Sequence, residues 1–214
     1  MAGVRGLYPI VDLDSLAGRG LDPLAFAALV LSVAPRLLQL RAKRAAPRDV
    51  LTLLRALKPL CARRGTLLIA NDRPDLALLG GADGVHVGQT DLPIAEVRRF
   101  SSELKVGIST HDLEQLEAAL AEAPSYVAFG PIYATASKEN PEPVVGLERL
   151  ARASELARAA GVPLVAIGGI TLERGPDVAR ADALGAVIGD LLADGPSGDA
   201  IAKRARALQT ALGG

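Results

Sequence analysis

Short apolar runs alternate along the chain with longer segments in which apolar residues recur every three or four positions. The runs are LYPIV, LLQL, TLLIA, GVHV, KVGIS, YVAFG, PLVAIG and GAVIG. Most are apolar at consecutive rather than alternating positions, as expected of parallel strands covered by helices. The segments between them are rich in Ala, Leu, Glu and Arg. Their period predicts helices beginning near Asp22, Arg48, Pro74, Ile94, Asp112, Leu147, Leu172 and Ser197. Asp, Ser or Pro stands at several of these starts, where a side-chain oxygen can accept from an orphan amide or a missing N–H costs nothing. Strand-helix units that recur with no long insertion predict an α/β fold: a (β/α)8 TIM barrel forming one domain over residues 1–214. A doubly wound open sheet is the alternative. The units share spacing but no common sequence.

Composition narrows the function classes. Half of the residues are hydrophobic, enough for one sizeable core. Lys plus Arg and Asp plus Glu each total 24, so no global field draws the chain to nucleic acid or to an anionic membrane, and any anion binding must be local. The lone Cys61 forms no internal disulfide and suits a reducing compartment; it lies in a helical segment and reads as packing rather than as a nucleophile. The N-terminus lacks the pattern of a secretion signal, and no apolar segment reaches the ~20 residues of a membrane span. The expectation is a soluble cytoplasmic protein acting on small molecules, with a homo-oligomer left open.

In a barrel of this kind the chemistry sits where strands run out into the following loops. Read in order, those ends carry Asp12, Arg41 and Lys43, Asn71 and Asp72, Gln89 and Asp91, Ser109 and Thr110, Thr135 with Ser137 and Lys138, Gly168 and Gly169, and Gly189. In LQLRAK, Arg41 and Lys43 are two residues apart, so extended geometry points both to one side. Together they suit a diphosphate, which the guanidinium can hold in a fork and the ammonium as a point charge. Asp72 and Asp91 follow adjacent strands, spaced about 4.8 Å apart, and could share one Mg²⁺, a hard cation that uses one or two carboxylates and completes its shell with water and phosphate oxygens. The glycines of VAIGGI and GAVIGD fall where many barrels bind a monophosphate on backbone amides. Between these two sides runs GPIYATASKENPEPVVG, long enough to act as a lid. His86 falls inside a strand and reads as a core or supporting residue, and His111 as the approach to a helix; neither is given a proton-transfer role.

The segments QLRAK, NDRPDLA, GADGVHVGQTDLP, GIST, FGPIYATASK and AIGGI, in this order over nearly the whole chain, resemble thiamine phosphate synthase. The resemblance implies a transferase that joins 4-amino-2-methyl-5-hydroxymethylpyrimidine diphosphate to a thiazole phosphate, plain or carboxylated, with release of diphosphate. It also implies roles by position. Gln39, Leu40, Arg41, Ala42, Lys43, Asn71, Ser109 and Lys138 would hold the pyrimidine diphosphate. Asp72 and Asp91 would bind magnesium. Thr135, Ala136, Ser137, Gly169, Ile188 and Gly189 would hold the thiazole phosphate. The implied mechanism is dissociative, with Arg41, Lys43 and Lys138 offsetting charge on the departing diphosphate.

Several positions depart from the family pattern. Val11 stands where a Thr often precedes the first Asp, Ala42 replaces a Glu, TASK replaces the common TPTK, and Gly189 replaces a Ser. Asp190, next in the chain, would repel a phosphate unless its carboxylate points away. Two other readings share the fold. A thiazole tautomerase commonly has a His where this chain has Pro131 and lacks much of the diphosphate and metal set, and a noncatalytic phosphate-binding regulator would need no acid pair.

Overall fold

The computed structural model describes residues 4–135 and 142–214. Eight parallel strands close into a barrel in sequence order: β1 (Gly6–Asp12), β2 (Leu37–Arg41), β3 (Leu67–Asn71), β4 (Gly84–Val87), β5 (Lys105–Thr110), β6 (Tyr126–Phe129), β7 (Leu164–Ile167) and β8 (Leu184–Val187), with β8 paired back onto β1. Closure leaves no strand edge unpaired, and each of the eight apolar runs of the sequence overlaps one strand, to within one or two residues at its ends. The open doubly wound sheet is thereby excluded.

The helices are α1 (Leu13–Ala17), α2 (Pro23–Val30), α3 (Pro47–Ala62), α4 (Pro74–Gly80), α5 (Ile94–Phe100), α6 (Leu113–Ala121), α7 (Gly146–Ala159), α8 (Gly175–Arg180) and α9 (Gly198–Ala211). Their starts are chemical. Asp22, Asp112 and Ser197 each accept a backbone N–H three residues on, from Ala25, Gln115 and Ala200, while Pro47 and Pro74 occupy first positions. Two details differ from the sequence reading. α1 was not expected; the Asp12 side chain caps it by accepting from Ser15 N at 2.9 Å. α8 begins three residues later than Leu172, because residues 171–174 form a tight turn in which Arg174 N and Gly175 N both donate to Thr171 O.

The strands separate two apolar layers. Between strands and helices lies the larger one, which includes Leu38, Leu40, Leu54, Leu68, Val85, Val127, Phe129 and Leu208. Inside the barrel lies a smaller one of Tyr8, Ile10, Leu37, Ile69, Tyr126, Ala128, Val165, Leu184 and Ala186. Cys61 is fully buried in the outer layer, and burial pushes its thiol up to about 11, so it stays protonated and inert. No helix among the described residues is long and apolar enough to cross a membrane.

Candidate active site

Strand alternation decides which residues reach the barrel mouth. Along β2 and the two residues after it, Gln39, Arg41 and Lys43 line a cavity of about 630 Å³ at the carboxyl ends of the strands. Leu40 points the other way, into the layer beneath the helices, and Ala42 packs against that same layer. The side chains of Leu40 and Ala42 are therefore not part of the cavity wall, so within the span from Gln39 to Lys43 these two could meet a ligand only through their backbone. Asn71, Asp72, Asp91, Ser109, Thr135, Gly169, Ile188 and Gly189 all line it. Ala136, Ser137 and Lys138 lie outside the described residues, as does the central part of the expected lid.

The two cations of β2 arrive already paired. Asp12 and Arg41 are register partners on β1 and β2, and the Arg41 guanidinium donates to Asp12 Oδ2 in a largely buried ion pair. Asp12 thus serves the cap of α1 with one oxygen and Arg41 with the other. Lys43 Nζ lies 2.5 Å from Asp72 Oδ2, at a contact where the Lys is half exposed. The Asn71 side-chain amide lines the cavity with no hydrogen-bond partner among the described residues, which leaves it available to a ligand.

Asp72 and Asp91 sit close enough for their carboxyls to act on each other. Burial raises the Asp72 pKa first, the Lys43 bond opposes that, and the neighbouring Asp91 carboxylate raises it further. Asp72 is also held at φ 61, a left-handed backbone uncommon for a non-glycine residue, with its N–H donating to His86 O at 2.8 Å. Asp91 folds back so that Oδ2 accepts from Gly88 N at 2.7 Å. Two mutually repelling acids, one held in a strained backbone and both facing the cavity, fit a hard divalent cation better than solvent. No larger group of His, Cys, Asp or Glu with metal-ligand geometry occurs among the described residues, so any such ion would take much of its shell from water and substrate oxygens.

A chain of hydrogen bonds runs through the barrel interior beneath these groups. Gln39 Nε2 donates to Tyr8 OH at 3.0 Å, and Tyr8 OH lies 3.0 Å from Tyr126 OH. Tyr126 OH lies 3.0 Å from His86 Nδ1, whose ring also reaches Ser109 Oγ at 2.8 Å through Nε2. Burial raises the pKa of both tyrosines, so each keeps its proton as a donor. Gly107 makes the arrangement possible, since a Cβ there would overlap the Tyr126 ring. His86 is thus a buried supporting residue under Ser109, as its strand position suggested. His111 lines the cavity with Nδ1 2.6 Å from Gly130 O, while its backbone N–H donates to Gln115 Oε1. Sequence reasoning passed over Tyr8 and Tyr126; the available signal was that each occupies the same inward side of its strand as Asp12, Gln39 and Ser109 do of theirs.

The opposite rim is built by the loops after β7 and β8. Gly168 (φ 93) and Gly169 (φ 64) both need a left-handed backbone. A Cβ on Gly169 would meet Ala134 O at 2.5 Å, and one on Gly168 would overlap Pro131. Close packing under the loop after β6 therefore suffices to require both glycines, whatever a ligand adds. Gly189 differs, because a Cβ there meets nothing within 4 Å. Asp190 stands at the rim with its carboxylate engaged: it accepts from Leu172 N at 3.0 Å and from Arg204 Nε and Nη2 at 3.0 and 2.8 Å. That carboxylate is neutralised and ties the two loops together, which removes the expected repulsion. Arg174, which sequence reasoning also passed over, lines the cavity beside Gly169.

Comparisons agree with this geometry. A family model described as thiamine monophosphate synthase matches residues 7–191. A thiamine-phosphate synthase of Anaeromyxobacter dehalogenans is 43% identical over 207 residues, 96% of this chain and 88% of the relative. One of Koribacter versatilis is 46% identical over 193 residues, 88% of this chain and 89% of the relative. Among solved structures, a thiamine phosphate pyrophosphorylase from Pyrococcus furiosus superposes with a TM-score of 0.81 at 26% identity, covering 97% of each chain.

Proposed function

The chain belongs to the thiamine monophosphate synthase family and is a transferase that forms thiamine phosphate, and from that premise we propose how its cavity joins two substrates. The observation that carries the reading is the division of one mouth into two sides, each with groups suited to an anion. Arg41 and Lys43 stand with the Asp72–Asp91 pair on one, and the loops of Gly168–Gly169 and Ile188–Gly189 stand on the other. The first side suits the diphosphate of a hydroxymethylpyrimidine diphosphate, the second the phosphate of a thiazole phosphate.

In the step so arranged, the bond from the pyrimidine methylene to diphosphate oxygen breaks with its electron pair leaving on the diphosphate. The thiazole nitrogen then forms the new C–N bond. Arg41 commits one of its five N–H donors to Asp12, and that ion pair holds the guanidinium in place while the others face the diphosphate. Lys43 commits one of three donors to Asp72 and offers the rest. Fixed cations that meet charge as it develops on the leaving group lower the barrier by electrostatic preorganisation. Asn71 and Ser109 would orient the pyrimidine, and Gln39 would act beneath it through Tyr8. Thr135, Gly169, Ile188 and Gly189 would hold the thiazole phosphate, bringing its nitrogen beside the cationic carbon. Asp72 and Asp91 are assigned to Mg²⁺, which when bound supplies positive charge to the diphosphate oxygens. By position, Ala136 and Ser137 join the thiazole phosphate side and Lys138 the diphosphate. No group is needed as a general base, and none is assigned. A cytoplasmic location is part of the proposal, and a chain whose one cysteine forms no internal disulfide is compatible with it.

The test is a coupling assay with both purified substrates and magnesium, scored by thiamine phosphate formed. Product that requires both substrates is the expected result. Isomerisation of the carboxylated thiazole phosphate without any pyrimidine, and no coupling, would refute the reading in favour of a tautomerase.

A further inference from the structure

Three cationic side chains, Arg41, Lys43 and Arg174, line the cavity among the described residues, and they differ in what compensates them. Arg41 is paired with Asp12 and Lys43 with Asp72. Arg174 forms no salt bridge among the described residues, and the carboxylate nearest it in the chain, fully exposed Glu173, acts on it only through space while bonded to Thr171. Its Nη1 donates to Gly169 O at 2.7 Å, and its guanidinium carbon lies 4.4 Å from the centroid of the Tyr133 ring. That ring is held in turn by the Tyr133 hydroxyl, which donates to Asp177 Oδ2 at 3.0 Å. The rim acid that could have quenched Arg174, Asp190, is committed to Arg204 and to Leu172 N. A carbonyl and an aromatic face therefore fix the guanidinium in direction without cancelling its charge, and four of its N–H donors remain.

We infer that Arg174 is a further binding residue for the second substrate, donating from its guanidinium to the phosphate of the thiazole phosphate. The inference rests on the reading of the rim after β7 and β8 as the thiazole phosphate side. Contact with Gly169 places the cation at that rim and away from Arg41 and Lys43, so it serves the monophosphate rather than the diphosphate. Backbone amides alone grip a phosphate by hydrogen bonds; a preorganised guanidinium adds a charge-assisted one and a full positive charge. It also adds a fixed positive charge to the groups that discriminate the phosphorylated thiazole from its free alcohol.

The experiment uses the full chain with Arg174→Gln, Arg174→Lys and, as a control on exposed charge, Arg149→Gln. Melting curves establish that each is folded. Dissociation constants are measured for thiazole phosphate, carboxylated thiazole phosphate and the unphosphorylated thiazole alcohol, and KM for both substrates in the coupling assay. Arg174→Gln should weaken both phosphorylated thiazoles about tenfold, the usual loss for one charge-assisted hydrogen bond. It should leave the alcohol and the pyrimidine diphosphate at parent values, and Arg149→Gln should match the parent throughout. Arg174→Lys should recover much of the loss, because it keeps the charge. Three results overturn the inference: thiazole phosphate bound as tightly by Arg174→Gln as by the parent, a loss confined to the carboxylated thiazole, or Lys no better than Gln, which would reduce Arg174 to a brace on Gly169. A parent enzyme that fails to couple at all overturns the functional reading itself, a result separable from the others because it is seen before any variant is made.

Discussion

Replacing Asp190 by Ala tests how the phosphate rim is held together. The substitution removes the acceptor for Leu172 N and for both Arg204 nitrogens, and leaves the Arg204 side chain, only 12% exposed, without its main partner. Breaking one side of a buried ion pair costs about 3–5 kcal/mol. Asp194, 3.7 Å from Arg204 Nη1, recovers part of that, but it is half exposed and more distant. The lower end, about 3 kcal/mol, is therefore expected, and at roughly 2–4 °C per kcal/mol for a domain of this size the melting temperature should fall about 6–12 °C. Arg204→Met keeps most of the packing volume while leaving Asp190 bonded to Leu172 N alone. The double variant should then cost less than the two singles summed, by at least 1 kcal/mol on the usual scale of coupling between contacting residues. Urea or thermal unfolding of parent, both singles and the double measures all four corners. A loss under about 1 kcal/mol for Asp190→Ala, or additivity within about 0.5 kcal/mol, would refute the clasp. Asp190→Asn adds a functional check: if the carboxylate repelled phosphate, its removal would lower KM for thiazole phosphate, whereas a clasp predicts no improvement.

Asp72→Asn and Asp91→Asn should each raise the magnesium concentration for half-maximal rate, and the double should cost less than the sum, because a poorly held ion has little left to lose. Parent-like magnesium titrations in all three would return both acids to the role of solvated loop residues. Gly169→Ala forces a Cβ to within 2.5 Å of Ala134 O at a φ of 64, and should lose about 2–4 kcal/mol from backbone strain plus overpacking, measured by urea unfolding. Cys61 should resist a thiol reagent at pH 8 in the native protein and react once unfolded, since its folded thiol titrates near 11. With its folded pKa raised above the unfolded value of 9.0, stability from this group is complete below pH 9 and is lost as pH rises toward 11; because buried Tyr8 and Tyr126 lose stability in the same direction from about pH 10, the expected result is a smaller fall in melting temperature over that window in Cys61→Ala than in the parent, and equal falls would refute the assignment.

Strand content was legible because buried parallel strands leave long apolar runs, and helix starts were legible where a cap has a characteristic residue. Asp22, Asp112 and Ser197 each accept the amide that their positions implied. The misses share a cause. Asp12 was read as a strand end, but its carboxylate both caps α1 and pairs with Arg41, and the second role depends on the β1–β2 register that sets Asp12 beside Arg41. Tyr8 and Tyr126 are 118 residues apart, and only barrel closure brings their hydroxyls within 3.0 Å.

Charge compensation is the part of the site that spacing could not supply. Period-two geometry placed Arg41 and Lys43 on one side of β2, as the cavity lining bears out, yet could not say that Asp12 and Asp72 stand against them. Asp190 looked like a defect in a phosphate rim because a sequence shows which charges are near one another along the chain, not which are cancelled across it. Arg204, fourteen residues on in α9, cancels it. Arg174, by contrast, looked like an ordinary turn residue, and only the neutrality of its partners, Gly169 O and the Tyr133 ring, marks its charge as available. Two rim cations are held by acids and one by a carbonyl and a ring. Of the three, that last one therefore meets an arriving anion with no ion pair already offsetting its charge, which is why the weakest signal in the sequence carries the sharpest prediction about the second substrate.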